Sequence, residues 1–326
     1  MINFNIIKHY IKLILYLLFK TEYPGKWEKQ TSNTRNPGDK KKVIFMCDGF
    51  KQHGGLSDRM AGLLTTWYES KRQHLPFFIH WTDPFDLSDF LVPAGEYDWR
   101  IDPRKISYSY DCSFPVIMDI SSTHGKNIIK KYLFKYSFLG KRDILVYSNM
   151  MYARKDSFRL YHELFKPSDY LQQNIDFHLT NIGAPYWSFT FRFGNYLGDF
   201  KDIIGHPLEE AEKKRLVDKN IRELKQLIKN LPTGYKALVT SDSLFFLNQV
   251  EKADDSIYIV KEKLMHVDFY KKEENTKEVW LKSFLDQHLI MNAQRVFLLK
   301  TEGMYKSGFP AFAAILGDKE FICHEF

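Results

Sequence analysis

The order of apolar and polar residues predicts alternating strands and helices in the first half of the chain. Residues 41–50 (KKVIFMCDGF) and 77–81 (FFIHW) are apolar runs rich in β-branched and aromatic residues, which is typical of buried strands. The segment between them opens with Gly54 and Gly55 and then repeats apolar residues at helical spacing. These apolar positions are Leu56, Met60, Leu63, Leu64 and Trp67. A strand, a turn, a helix and a second strand predict a parallel crossover, and therefore an α/β sheet.

The same pattern starts again after residue 184. Apolar runs predict strands at residues 187–193, 235–243, 256–260, 295–303 and 321–326, and helical spacing predicts helices at residues 211–231, 277–294 and 307–317. We therefore predict two Rossmann-like, doubly wound α/β domains, at residues 41–184 and 185–326, and the length of 326 residues also favours two domains. Two such domains facing each other across a cleft make a GT-B-like fold.

Residues 1–20 predict an amphipathic helix. Lys8, Lys12 and Lys20 fall on one narrow face, and isoleucines and leucines cover the other. Such a helix lies in the headgroup region of a membrane with its apolar face in lipid. The alternatives are a helix packed on the protein's own core and a helix that spans the bilayer, although Lys8 and Lys12 interrupt the apolar stretch. Residues 21–40 contain two Pro-Gly pairs and are predicted to be a tether.

The positive charge of the chain is concentrated in this N-terminal arm. The chain carries a formal net charge of +7, and residues 1–42 hold nine Lys or Arg and three acids. The rest of the chain is therefore nearly neutral, whereas a nucleic-acid-binding body carries a basic stripe, so we expect no nucleic-acid partner. An anionic membrane surface is the expected partner of residues 1–20. This predicts a cytoplasmic protein that is peripheral on the inner face of a bacterial cytoplasmic membrane.

The cysteines indicate neither a disulfide scaffold nor a zinc site. Cys47, Cys112 and Cys323 are widely spaced and form no Cys-x-x-Cys pair, which predicts reduced thiols. No Asp-x-Asp metal motif stands out either. We therefore expect no metal and no cofactor.

Polar residues follow the predicted strands of the second domain where a ligand is expected. Arg192 lies near the end of one strand, Asp242 and Ser243 end another, and Ser307 and Gly308 open a helix. The carboxyl ends of parallel strands meet at one sheet edge, so these residues can converge. There the arginine could clamp a diphosphate, the helix start could hold a phosphate, and a carboxylate could bind a guanine edge or ribose. A salt bridge and helix caps are the alternative roles.

The turn after the first strand is a second candidate site. Glycines let backbone N–H groups approach a ligand closely, and the start of the following helix favours anions. We expect Asp58 and Arg59, in the first helical turn, to face the crevice with the loop residues His53, Gly54 and Gly55. A plain tight turn with Ser57 or Asp58 as the helix N-cap is the alternative.

The stretch FRFGNY resembles the His-x-Arg-x-Gly-Asp-Tyr motif of the α-1,2, α-1,6 and nodulation-type fucosyltransferases. Arg192, Gly194 and Tyr196 match this motif, whereas Thr190 and Asn195 stand where the family has His and Asp. Three further stretches support the resemblance by their order. LVTSDSLFFL resembles the family's strand ending in Thr-Asp-Asp, residues 284–316 resemble its third motif, and HGGLSDRM resembles the glycine-rich loop of related bacterial transferases.

The resemblance implies a GT-B fold, a GDP-fucose donor, inversion at the anomeric carbon and no obligatory metal. It also implies that Arg192 holds the β-phosphate, Asp286 the guanine and Ser307 a phosphate, while Asp242 lines the donor pocket. The predicted donor-binding residues are Arg192, Gly194, Asn195, Tyr196, Asp242, Ser243, Asp286, Ser307, Gly308 and Phe309.

These observations predict a glycosyltransferase that moves fucose from GDP-fucose to a glycan or lipid-linked glycan in bacterial surface polysaccharide synthesis. The acceptor hydroxyl needs either a base, for which Asp199, Asp202 and Asp58 are the candidates, or a loose transition state that requires little help from a base. The predicted catalytic residues are Arg192, Asp199 and Asp58, with Asp199 slightly ahead of the other carboxylates because it follows the arginine loop.

Two other functions compete with sugar transfer. The first is a non-catalytic, membrane-tethered carbohydrate-binding protein on the same scaffold, which the departures Thr190 and Asn195 favour. The second is a nucleotide-dependent kinase, which is disfavoured because the chain contains no G-x-x-x-x-G-K-[ST] loop.

Overall fold

The computed structural model describes residues 40–51, 53–109, 112–118, 138, 141–151, 154–202, 205–262, 265–268, 270 and 275–326. The predicted amphipathic helix at residues 1–20 and nearly all of the predicted tether at residues 21–40 lie outside these ranges. Within them, no helix combines the length and the apolar character that crossing a membrane requires.

A parallel sheet forms the centre of the N-terminal lobe. The elements of this half are β1 (Val43–Cys47), α1 (Leu56–Arg72), β2 (Phe77–Trp81), β3 (Leu91–Pro93), β4 (Ser113–Met118), β5 (Asp143–Ser148), α2 (Ser157–Leu164), β6 (Phe165–Pro167) and α3 (Asp169–Ile182). The sheet has the order β2-β1-β5-β4, and β3 pairs with β6 in a separate antiparallel ribbon. The predicted β1, α1 and β2 are confirmed, whereas β4 and β5 were not predicted. Pro115 interrupts the apolar pattern of β4, which the sheet tolerates because β4 is an edge strand.

A second parallel sheet forms the C-terminal lobe. Its elements are β7 (Tyr186–Phe191), α4 (Glu210–Ile228), β8 (Lys236–Ser241), α5 (Leu244–Val250), β9 (Ile257–Ile259), α6 (Lys277–Asn292), β10 (Arg295–Lys300), α7 (Phe309–Leu316) and β11 (Phe321–Glu325). The order is β11-β10-β7-β8-β9. The winding therefore reverses between β7 and β10, and ligands of such sheets bind in the crevice at this switch point. The predicted strands and the GT-B-like fold are confirmed.

A left-handed glycine links the two lobes. Ser168 caps the N-terminus of helix α3, and its hydroxyl accepts a hydrogen bond from the Leu171 N–H at 3.3 Å. Gly183, with φ of 61°, caps the C-terminus of the helix. The chain then enters β7 at Tyr186. The predicted boundary at residues 184 and 185 thus falls between the two sheets.

The hydrophobic core does not follow this boundary. Helix α6 belongs to the C-terminal half of the sequence, yet Phe284 stacks on Phe90 of the N-terminal half, with ring centroids 4.4 Å apart and planes 10° from parallel. Phe85 also packs against the Phe284 ring, with ring centroids 5.4 Å apart. Trp280 and Phe312 join the same cluster of buried residues as the side chains of β1 and α1. One hydrophobic cluster therefore spans both lobes and fixes the cleft between them, while each lobe also has a smaller cluster of its own.

Candidate functional site

A cavity of about 740 Å³ lies between the lobes, at the carboxyl ends of both sheets. The N-terminal lobe contributes the start of α1 and the residues after β5, and the C-terminal lobe contributes the ends of β7 and β8 and the start of α7. Among the predicted site residues, the cavity is lined by Gly54, Gly55, Asp58, Arg192, Asp202, Asp242, Asp286, Ser307, Gly308 and Phe309. Its size suits a ligand as large as a nucleotide sugar.

Arg192 follows β7 and is held on three sides. Its Nη2 contacts a carboxylate oxygen of Asp202, its Nε lies 3.3 Å from Oδ2 of Asp242, and its guanidinium carbon lies 4.6 Å from the ring centroid of Phe200. The Arg192 side chain is nevertheless 18% exposed and lines the cavity. Two acids therefore orient this guanidinium without closing it off from the cleft.

Asp242, after β8, organises the loop that carries Arg192. Its carboxylate accepts hydrogen bonds from the N–H groups of Phe193 at 2.9 Å and Gly194 at 2.7 Å. Gly194 has φ of 58°, a conformation that favours glycine. Burial raises the pKa of Asp242, and the Arg192 charge opposes this shift. Asp242 thus ties the end of β7 to the end of β8.

Asp286 lines the cavity from α6 and is paired with a buried lysine. Both of its carboxylate oxygens accept hydrogen bonds from Nζ of Lys282, at 2.9 and 3.0 Å. The same ammonium group donates to the carbonyl of Val260 at 3.2 Å. Burial raises the pKa of Asp286, and Lys282 opposes this shift. An orientated, buried carboxylate of this kind can accept two donors from the edge of a nucleobase.

The start of α7 brings an anion-favouring helix terminus to the cavity. Ser307 is buried, and its hydroxyl accepts a hydrogen bond from the Phe309 N–H at 3.2 Å. Gly308 and the neighbouring Lys306 also line the cavity. Helix N-termini and lysine side chains both favour negative charge.

The start of α1 faces the cavity from the other lobe. Oδ2 of Asp58 accepts a hydrogen bond from the Gly55 N–H at 3.2 Å, so this exposed carboxylate also stabilises the first turn of the helix. Gly54 has φ of 83°, and a Cβ there would lie 2.7 Å from the same carboxylate oxygen. The glycines thus allow Asp58 to bond to the turn while it lines the cavity.

Arg59 is buried between the lobes instead of lining the cavity. Its Nη1 donates to Sγ of Cys47 at 2.7 Å and to the Asp83 carbonyl at 2.9 Å, and its Nη2 pairs with Asp268 at 2.6 Å. Its side chain is only 3% exposed. These contacts assign Arg59 to lobe–lobe packing.

His53 is also buried, behind the glycine turn. Its Nδ1 lies 3.4 Å from the Ser148 carbonyl, and its ring stacks on Tyr147 with centroids 6.0 Å apart. Burial lowers the pKa of His53 to about 4, so the ring is neutral near pH 7.

The remaining predicted residues support loops around the cavity. Asp199 accepts hydrogen bonds from the Ser243 hydroxyl at 3.0 Å and from the Phe245 N–H at 2.8 Å, at the start of α5. Tyr196 donates to the Gly303 carbonyl at 2.9 Å. Asn195 bonds to the backbone of Asp202.

Residues 265–268 lie between β9 and α6 and line the cavity, but the sequence pattern did not predict them as part of the site. His266 lies beside Phe200, with ring centroids 6.1 Å apart, and burial lowers its pKa. Asp268 pairs with Arg59 of the other lobe. Neither periodicity nor a motif marks this segment. Throughout the part of the chain that the structure covers, no three His, Cys, Asp or Glu side chains are grouped so that they could hold a metal ion.

Two α/β lobes with a cavity at the carboxyl ends of both sheets define a GT-B-like fold. Fucosyltransferases are among the solved structures that share this fold. The α-1,6-fucosyltransferase NodZ soaked with GDP-fucose is 15% identical, with a TM-score of 0.55 over 85% of this chain and 93% of that chain. Fucosyltransferase NodZ from Bradyrhizobium is 14% identical, with a TM-score of 0.54 over the same shares.

A plant enzyme shares the fold as well. A mutant of Arabidopsis thaliana FUT1 in complex with GDP is 14% identical, with a TM-score of 0.55 over 88% of this chain and 71% of that chain. No protein-family model and no curated protein matches the chain. The fold is thus fucosyltransferase-like, at low sequence identity.

Proposed function

We propose that this protein is a glycosyltransferase and that GDP-fucose is its donor. The observation that carries the proposal is the position of Arg192, which follows β7 at the switch point and lines the cavity between the lobes. Two solved structures with this fold were obtained with GDP-fucose or GDP. The buried Asp286 favours guanine as the base of the donor, because its carboxylate can accept hydrogen bonds from two N–H donors.

The chemical step is a displacement at the anomeric carbon with inversion. The acceptor oxygen forms a bond to this carbon, the bond from the carbon to the β-phosphate oxygen breaks, and GDP leaves with the bonding pair. The acceptor proton passes to a carboxylate. Arg192, Lys306 and the N-terminus of α7 stabilise the charge that develops on the diphosphate.

Among the three candidate carboxylates, Asp58 has the position that best suits a general base. It is exposed, lines the cavity from the N-terminal lobe and lies opposite the Arg192 side. Asp199, which the sequence ranked first, does not line the cavity. Asp202 lines it, but its side chain is only 2% exposed and is paired with Arg192. We therefore propose that Asp58 takes the acceptor proton.

Calorimetric titration with nucleotides tests the proposal. The full chain should bind GDP and GDP-fucose more tightly than UDP and UDP-glucose, and Arg192→Lys should weaken GDP binding at least tenfold because lysine lacks the fork of N–H donors. Arg295→Lys is the matched control, since Arg295 also has an acid and an aromatic partner, Glu320 and Trp187, but lies at the other end of the sheet.

The outcomes separate the rival functions. GDP binding that is unchanged in Arg192→Lys contradicts the proposal. A chain that binds a glycan but no nucleotide sugar would be the carbohydrate-binding protein of the same scaffold. Release of GDP from GDP-fucose by the wild-type chain, measured with a coupled assay, supports transfer over binding alone.

We also propose that the acceptor is a glycan or lipid-linked glycan at the cytoplasmic face of a bacterial membrane, in surface polysaccharide synthesis. Support comes from the sequence of residues 1–20 and the basic character of residues 1–42. The full chain should co-sediment with vesicles that contain phosphatidylglycerol, and replacing Lys8 and Lys12 by glutamate should release it. Equal binding of both proteins contradicts this part of the proposal.

A further inference from the structure

We propose that Asn195 is a positioning residue that holds Asp202 against Arg192 and so orients the guanidinium toward the cavity. This inference rests on the proposed function, because it assigns Asn195 a role in binding the donor diphosphate. The cavity lining includes Arg192 and Asp202 but not Asn195, so Asn195 acts through its neighbours.

The side chain of Asn195 bonds to both backbone polar groups of Asp202. Its Oδ1 accepts a hydrogen bond from the Asp202 N–H at 3.0 Å, and its Nδ2 donates to the Asp202 carbonyl. Nδ2 also lies 3.3 Å from the carbonyl of Gly205. A side chain that both accepts and donates is required here, and an ionised aspartate can only accept. This requirement explains an amide at position 195, where the motif that the chain resembles has a carboxylate.

The hydrogen bonds from Asn195 to the Asp202 backbone form a clamp, and the clamped Asp202 in turn fixes Arg192. The Asp202 side chain is 2% exposed and contacts Nη2 of Arg192, while Asp242 contacts Nε and Phe200 covers one face. A guanidinium that is held on three sides needs no reorganisation when an anion arrives, and such preorganisation strengthens electrostatic binding. Because the Asp202 backbone is bonded on both sides, its carboxylate is a fixed support and not a mobile competitor for the arginine.

A double-mutant cycle with GDP as the probe tests this role. Asn195→Ala and Asp202→Ala should each weaken GDP binding about tenfold, and the double variant should lose about tenfold as well, because both changes remove the same support. Asn292→Ala is the control, since the exposed Asn292 also donates its amide to a backbone carbonyl, that of His288 at 2.8 Å, but lies at the end of α6. The control should bind GDP like the wild-type chain.

Three results would overturn the assignment. A hundredfold loss in the double variant would indicate independent roles. Tighter GDP binding by Asp202→Ala would mean that the carboxylate competes with the diphosphate. Unchanged affinity in Asn195→Ala would mean that the clamp does not reach the arginine.

Hydrogen exchange without ligand separates this inference from the proposed function. The Asp202 amide should lose protection in Asn195→Ala and keep it in Asn292→Ala. Full protection in Asn195→Ala contradicts the clamp, whether or not GDP binds. Failure of the wild-type chain to bind GDP, with the loss of protection observed, contradicts only the donor proposal and the link from the clamp to it.

Discussion

Arg192 and Arg59 lie near the same cleft, each with acidic partners, but their surroundings differ. Arg192 contacts Asp202 and Asp242, is 18% exposed and lines the cavity. Arg59 contacts Asp268 across the lobe boundary, is 3% exposed and does not line the cavity. An acidic partner therefore does not distinguish a ligand-binding arginine from a structural one. The distinguishing feature is whether the contacts leave part of the guanidinium facing open space.

The largest expected effect concerns the structural arginine. Arg59→Met should lower the free energy of unfolding by about 3–5 kcal/mol, because it removes a buried guanidinium and leaves the Asp268 carboxylate, which is 10% exposed, without its partner. Urea unfolding at pH 7 measures this change. Arg59→Met combined with Asp268→Asn should lose less.

Arg295→Met is the control for this prediction. Its pair with Glu320 is exposed on both sides, so the cost should be about 0–1 kcal/mol. An equal cost for Arg59→Met and Arg295→Met would contradict the structural role of Arg59.

The next effect concerns the ligand-binding arginine. Arg192→Lys should reduce the rate of fucose transfer by about 10²–10³, because removing a donor to the charge that develops in the transition state has costs of this order. The lysine keeps a cation between Asp202 and Asp242, so the melting temperature should change little. A transfer rate within threefold of the wild-type rate would show that Arg192 does not meet the diphosphate.

The buried side of the cleft should also respond to pH. The folded-state pKa of His53, about 4, lies below the usual 6.5, so the unfolded chain takes up the proton first as the pH falls. The stability contributed by the neutral ring is therefore complete above pH 6.5 and is lost toward pH 4. Between pH 7 and pH 5 this loss is about 2 kcal/mol.

His53→Gln isolates this titration. Glutamine cannot take up the proton, so the variant should lose about 2 kcal/mol less than the wild-type chain between these pH values, as measured by urea unfolding. Wild-type and variant proteins with the same pH dependence would contradict the buried, neutral state of His53.

The last prediction sharpens the comparison within one helical turn. Asp58 lines the cavity, whereas Arg59, the next residue, is buried. Asp58→Asn should lower kcat by about 10² with GDP affinity unchanged, since asparagine cannot take the acceptor proton but can still accept from the Gly55 N–H. Asp199→Asn, measured beside it, should keep its kcat. A loss of kcat in Asp199→Asn, with kcat unchanged in Asp58→Asn, would identify Asp199 as the base.

Most of the fold and the cavity-lining side of the site could be predicted from the sequence. Arg192, Asp242 and Ser307 follow strands or open a helix, and the carboxyl ends of parallel strands meet. The direction of Arg59 could not be predicted, because its partner Asp268 lies 209 residues away. The clamp that Asn195 forms on Asp202 could not be predicted for a related reason. The clamp depends on a loop conformation, and neither the helical nor the strand spacing of apolar residues describes a loop.

The hydrophobic cluster that spans both lobes could not be predicted from the sequence pattern either. The periodicity of α6 predicted a helix of the C-terminal domain, but Phe284 packs on Phe90 of the other lobe. Nearly every face of α6 is buried, so its pattern gave no preferred partner.

A crystal structure of the full chain with GDP tests the central claim most directly. The account predicts the β-phosphate within hydrogen-bond distance of the Arg192 guanidinium, and the guanine edge against Asp286. GDP bound elsewhere, or bound in the cleft with its phosphates away from Arg192, would contradict it.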